Sequence, residues 1–288
     1  MFYKLGCSFR ALYFKENLLG FFYSYLSGLI LGILGGVMRR ISIINYKGGT
    51  GKTSTVVNMA HGMALQGLKV LIVDTDPQGS ASHHLGIRTS VTLYDLLIKG
   101  LDPEDCIVSA RENLDIICAN EHLFPAEMKL TTEADREYVL SDRLESLEGY
   151  DVVLLDCAPS MNLLNQNALI YSDEILLPVS MEYLSLIGVK QLLKNIKIIN
   201  KLFDKEIKIT KVIPTFFDKR NKKSKDILDS LNRVFPGNIS MPIRSCVSLS
   251  EAPGVKKTIF EYDPNSKASE DYLELIKEVL SSGKEKRL

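Results

Sequence analysis

The segment Lys47-Gly48-Gly49-Thr50-Gly51-Lys52-Thr53 constrains the fold of this chain more tightly than any other stretch. Gly48, Gly49 and Gly51 leave backbone N–H groups free to turn inward around an anion, where side chains would obstruct them. Gly51-Lys52-Thr53 is the tail of the phosphate-binding pattern G-x-x-x-x-G-K-[ST]. In such a loop Lys52 sets a point charge near the β- and γ-phosphates, and the Thr53 hydroxyl is placed to ligate Mg²⁺. Thr50 and Ser54 complete the expected nucleotide contacts. Lys47, at the mouth of the loop, has no place in that basic pattern. It is positioned to reach a phosphate of its own nucleotide or of one held by a facing copy. The loop needs a strand before it and a helix after it. Residues 40–45 read as a short buried strand, and 54–66 as a helix with Val57, Ala60, His61 and Ala64 on one side.

Two further apolar runs end in carboxylates. Lys69-Val70-Leu71-Ile72-Val73-Asp74 runs into Thr75-Asp76-Pro77-Gln78-Gly79-Ser80, and Asp151-Val152-Val153-Leu154-Leu155-Asp156 runs into Cys157-Ala158-Pro159-Ser160. Carboxylates at the C-terminal ends of parallel strands line the crevice where α/β sheets bind ligands. Asp156 is the expected Walker-B carboxylate, holding Mg²⁺ directly or through water. For Asp74 two readings stand: a direct role beside Asp76, or a strand-end carboxylate in a hydrogen bond. Residues 174–179, 208–215 and 238–243 read as further strands, and 184–203, 224–235 and 266–280 as helices. This alternation predicts a P-loop NTPase of the α/β class, with one doubly wound, mainly parallel sheet and helices on both faces. The length of 288 residues, with 45% hydrophobic and 24% charged, fits one large domain or two small ones.

The succession K-G-G-T-G-K-T, V-D-T-D-P-Q-G-S and D-V-V-L-L-D-C-A-P-S resembles the ParA/MinD superfamily of deviant-Walker ATPases. Asn167-Ala168-Leu169, Leu177-Pro178-Val179 and Leu249-Ser250-Glu251-Ala252-Pro253 are similar to segments of its ParA branch. The likeness runs over 38–280. It implies that Lys47 is the signature lysine, which in the family crosses a sandwich dimer to touch the partner's nucleotide. Lys52 and Thr53 become the phosphate lysine and the metal ligand. Asp76 becomes the switch carboxylate that orients the attacking water and supports the metal shell, and Asp156 a further metal residue. Lys47, Lys52 and Asp76 thus form the expected catalytic set, with ATP and Mg²⁺ as cofactors. Thr215 and Phe216, at a strand end, are the expected adenine contacts. The implied function is ATP-driven partitioning of a plasmid or chromosome: a homodimer forms on ATP, holds nonspecific DNA, and is reset when a ParB-like partner stimulates hydrolysis. Two alternatives are carried. One is a membrane-surface positioning ATPase of the MinD or flagellar-number type. The other is a nucleotide-gated regulator without significant hydrolysis. The tail 281–288 has no apolar face to insert in a membrane.

Formal net charge is zero, so the whole molecule is not a polycation. Basic residues nevertheless cluster: Lys219, Arg220, Lys222, Lys223 and Lys225, then Lys256 and Lys257. Such clusters bind phosphate backbones or form solvated loops. The resemblance assigns Arg220 to DNA, with Lys222, Lys223, Arg244 and Lys256 as further candidates. Ser248 stands where the family often has an arginine, which argues for modest DNA affinity.

Five scattered cysteines have neither metal nor redox spacing, so reduced thiols are expected. His83 and His84, being adjacent, point in different directions and are read as surface or packing residues. Residues 18–37 carry no charge and are long enough to span a bilayer, with Gly28, Gly32 and Gly36 at four-residue spacing. Two readings stand for this extension of 1–37. It is a membrane anchor, the only route to a membrane in this chain, or translation begins at Met38. The second is the expectation, which makes 38–288 the ATPase domain of a cytoplasmic, nucleoid-associated protein.

Overall fold

The computed structural model describes residues 37–282. Seven strands form one sheet: β1 (Arg39–Ile43), β2 (Val70–Asp74), β3 (Ile107–Arg111), β4 (Leu114–Ile117), β5 (Val152–Asp156), β6 (Glu174–Ser180) and β7 (Lys208–Thr215). Their order across the sheet is β3-β4-β2-β5-β1-β6-β7. All pairings are parallel except β3 with β4. The apolar runs read from the sequence are therefore the central strands. Their side chains alternate between two cores, as a sheet buried on both faces requires. Ile41, Ile43, Val70, Ile72, Val152 and Leu154 face one core; Leu71, Val73, Val153, Leu155, Ile175 and Leu177 face the other.

Helix α1 (Lys52–Ala64), helix α2 (Ser80–Leu85) and the C-terminal helix cover the first core. Helices α3 (Leu163–Tyr171), α4 (Ser185–Leu202) and α5 (Lys222–Val234) cover the second, and α6 (Lys267–Ser282) is the C-terminal one. Capping residues set two of the starts. The Asn162 side chain accepts from Asn165 N at the head of α3, and Asn221 accepts from Lys223 N at the head of α5. The second cap starts α5 two residues before the helix read from the sequence.

Two expectations change. Residues 238–243 form no strand; only isolated bridges, Val212 with Ile239 and Phe217 with Arg244, run beside β7. Pro242 has no N–H to give, and Pro236-Gly237 turns the chain just before the segment. The antiparallel β3–β4 hairpin was not read from the sequence. Asn113, at φ 57°, makes its turn. Among the described residues no helix is long and apolar enough to cross a membrane. The uncharged stretch 18–37 lies outside them apart from Val37, so the anchor reading does too.

Leu154 is fully buried in the central β5. Leu154→Ala should lower unfolding free energy by about 2–5 kcal/mol in urea titration. A loss under about 1 kcal/mol would mean that the layer repacks around the gap.

Candidate nucleotide site

The glycine loop leaves the C-terminal end of β1 and enters α1. Gly51 occupies the N-cap position with φ +84°, a backbone conformation that side chains disfavour. No side chain caps the helix and no acid lies in its first turn, so its N–H groups stay open to an anion. The loop is clamped from both flanks. Asn45 Nδ2 donates to Pro178 O of β6 (2.8 Å), while its Oδ1 accepts from Lys47 N (3.0 Å). Thr215 Oγ1 of β7 donates to Thr50 O (2.9 Å). Gly188 of α4 makes room for this clamp: a Cβ there would stand 2.8 Å from Asn45 Oδ1.

Lys52 is buried, and its Nζ donates to Lys47 O (3.3 Å). Burial pulls its ammonium down, against the attraction of Asp156. Asp156 is fully buried, and among the described residues neither carboxylate oxygen has a hydrogen-bond partner of good geometry. Burial pushes it up to about 7, against the pull of the neighbouring Thr53 hydroxyl and the Lys52 ammonium. Asp74 is its partner in the β2–β5 register. Burial and the neighbouring Asp156 raise Asp74 well above the usual carboxylate range. Unlike Asp156, Asp74 is used: Oδ1 accepts from Asp76 N and Oδ2 from Ala81 N, each at 3.1 Å. Those bonds hold the turn that carries Asp76 and start α2, so the geometry gives Asp74 the structural reading. Asp76 is half-buried, and its Oδ1 accepts from Gln78 N (3.0 Å).

Lys47 is folded onto its own subunit. Its Nζ pairs with the Glu182 carboxylate and donates to Ser185 Oγ (3.2 Å), which in turn bonds Ser180 Oγ (2.7 Å). The Glu182 carboxyl is held below its usual range by that ammonium. On the other side of the loop a cleft of 370 Å³ opens, lined by Gly51, Ser54, Thr215, Phe216, Val247, Leu249 and Pro253 among others. It contains both residues expected at the adenine. The wall from Val247 to Pro253 was not read from the sequence as part of the nucleotide site, because only the fold brings that segment against Gly51 and Ser54.

The five basic candidates for DNA fall in three surroundings. Arg220 is highly exposed and pairs with Asp218 (2.9 Å), whose carboxyl it holds down at about 2. Lys222 and Lys223 open α5 next to it. Arg244 is drawn inward instead, its Nη2 2.6 Å from Asp271 Oδ1 and 3.4 Å from Glu270. Lys256 is exposed and lines a separate, open recess with Thr53, Ser54 and His83.

Comparison with known proteins agrees with this geometry. A family model described as an AAA domain matches residues 38–209. The chain is 39% identical to the sporulation initiation inhibitor protein Soj of Bacillus subtilis, over 84% of this chain and 98% of that protein. It is 35% identical to the chromosome partitioning protein ParA of Caulobacter vibrioides, over 87% and 97%. A solved structure, cobyrinic acid a,c-diamide synthase of Mycobacterium smegmatis with a bound ATP analogue and magnesium, superposes with a TM-score of 0.75 at 30% identity, over 86% of this chain and 96% of that one. The chain belongs to the ParA/MinD family of P-loop ATPases, with the ParA-type partitioning proteins.

Asp156 also sets a pH dependence. Its folded value lies above the ordinary one, so between about pH 4 and about pH 7 the unfolded chain is ionised while the folded one keeps its proton. Stability of the metal-free protein should therefore fall as pH rises through that window, and Asp156→Asn should flatten the fall. Urea titrations at several pH values without divalent ions check this; equal slopes for parent and variant would refute it.

Proposed function

We propose that this chain is an ATP-hydrolysing partition switch, its ATPase unit running over 38–288. The observation that carries the reading is the Asp156 carboxylate: it is buried, both oxygens are open, and Thr53 and Lys52 adjoin it. Unpaired buried charge is costly unless a cation completes it. Thr53 and Asp156, with Asp76 at the rim, fit a hard divalent ion that prefers oxygen ligands. A magnesium ion held there would neutralise charge on the phosphates. Lys52 contributes a second charge from within the loop, whose N–H groups surround the phosphates. Asp76, fixed by the turn that Asp74 organises, orients the attacking water. The cleft beside Thr215 and Phe216 takes the base. Catalysis on this arrangement is positioning and charge stabilisation.

Dimerisation on ATP follows from Lys47. In this reading Lys47 exchanges Glu182 for the nucleotide of a facing copy, a cheap exchange because Glu182 is exposed and such surface pairs contribute little. The dimer brings two copies of the Arg220, Lys222 and Lys223 cluster to nonspecific DNA. A ParB-like adaptor then stimulates hydrolysis and release. The relatives named for chromosome partitioning support the same process here, and the place of action is then the nucleoid.

Lys52→Ala should abolish ATP binding by calorimetry. Asp76→Ala should keep it and slow hydrolysis by about 100-fold or more. Lys52→Ala with parental affinity would reject the site. Lys47→Ala should bind ATP yet stay monomeric in light scattering with a slowly hydrolysed analogue; a normal dimer would reject the trans role.

Arg220→Ala should weaken duplex binding in the ATP state and leave DNA-free turnover unchanged. Its salt slope should fall by about 0.9 for each DNA phosphate that the variant no longer neutralises. Polarisation titrations at two salt concentrations read both effects. Affinity that is equal in ATP and ADP would count against nucleotide-gated DNA binding.

A further inference from the structure

Lys256 stands where the backbone asks for glycine. The tight turn Ala252–Val255 closes with Lys256 N donating to Pro253 O and Lys257 N to Ala252 O, each at 3.1 Å. Lys256 itself sits at φ +61°, in the left-handed region where glycine is the residue without a steric penalty. The position is held firmly. Arg111 Nη2 donates to Lys256 O (3.1 Å), and Arg111 Nε is fixed by Glu261 Oε1 (2.6 Å). Bare Gly86 packs against the root of the side chain: a Cβ on Gly86 would stand 2.9 Å from Lys256 Cβ. Strain kept in place by its surroundings is a mark of a functional position.

Lys256 is exposed and lines an open recess of the surface with Thr53, Ser54, Ser80 and His83. Ser54 and Pro253 also line the cleft proposed for the base, so the two spaces adjoin. A nucleotide that runs from the loop to that cleft passes Ser54, which borders the recess that Lys256 lines. Among the described residues no ion pair occupies the Lys256 ammonium. Arg220, by contrast, lies with the cluster at the head of α5.

We propose that Lys256 is a nucleotide-binding residue, its ammonium contacting the phosphates that ATP and ADP share, and is not a DNA contact. This rests on the ATPase reading above. An ammonium is a compact point charge suited to phosphate oxygens. Thr53 and Ser54 follow Lys52 into α1, on the side of the loop away from Lys47 at its mouth.

The test uses the full chain with Lys256→Gly and Lys256→Gln. Glycine relieves the φ, so Lys256→Gly should melt at or above the parental temperature. If it melts lower, Lys256→Gln carries the test. Calorimetry with Mg²⁺ and either ADP or a slowly hydrolysed ATP analogue should show both ligands weakened about 10-fold or more, as for removal of a charged hydrogen bond. Duplex DNA affinity at saturating analogue should not change. Unchanged affinity for both nucleotides overturns the proposal, whether DNA binding falls, making Lys256 a DNA contact, or stays, making it a surface lysine. A loss confined to the analogue overturns the assignment to the shared phosphates. Lys52→Ala is run alongside: if it too binds normally, the nucleotide reading itself fails, and if it alone loses binding, only the role of Lys256 fails.

Discussion

A carboxylate shut away from water without a partner is the constraint on which the site depends. Asp156 ends the central β5, and the sheet desolvates it. The effective penalty for such a buried charge is several kcal/mol. The register makes matters worse by placing Asp74 directly beside it. The fold treats the two differently. Asp74 accepts two backbone N–H groups and becomes the anchor of the turn that carries Asp76. Asp156 accepts none, sits near neutrality at about 7, and keeps both oxygens available. An open buried carboxyl group thus stands next to a hydrogen-bonded one.

The loop above them is held still by small, local fits. Asn45 spans from β6 to Lys47, Thr215 ties β7 to Thr50, and Gly188 lets α4 approach closely enough for the first of these. Pre-set N–H groups lose little freedom when an anion arrives. The one charged group of the loop facing outward is Lys47, and its partner Glu182 is exposed.

Basic residues that look alike in the sequence are sorted by their acids. Asp271, largely buried on α6, draws Arg244 inward, whereas Asp218 leaves Arg220 in solvent. Lys256 lines a different recess, with Thr53, Ser54 and His83, on a backbone at φ +61°.

The β1–loop–α1 unit and the two strands ending in Asp74 and Asp156 were legible because their information is local. Glycine at fixed spacing, apolar runs of strand length and a terminal carboxylate each follow from short-range sterics and desolvation. The resemblance carried by those motifs added the roles of Lys47 and Asp76. Where the chain meets itself was not legible. Pairing with distant β7 left 238–243 as isolated bridges, and the 107–117 hairpin, though local, takes its place at the sheet edge only through the pairing of β4 with β2. The choice between two roles for Asp74, the self-contact of Lys47, the wall of the cleft beside Thr215 and Phe216, and the separation of Arg220, Arg244 and Lys256 were decided by the tertiary structure alone. A side chain's charge is written in the sequence, but its partner and its exposure depend on which distant segments the fold brings against it.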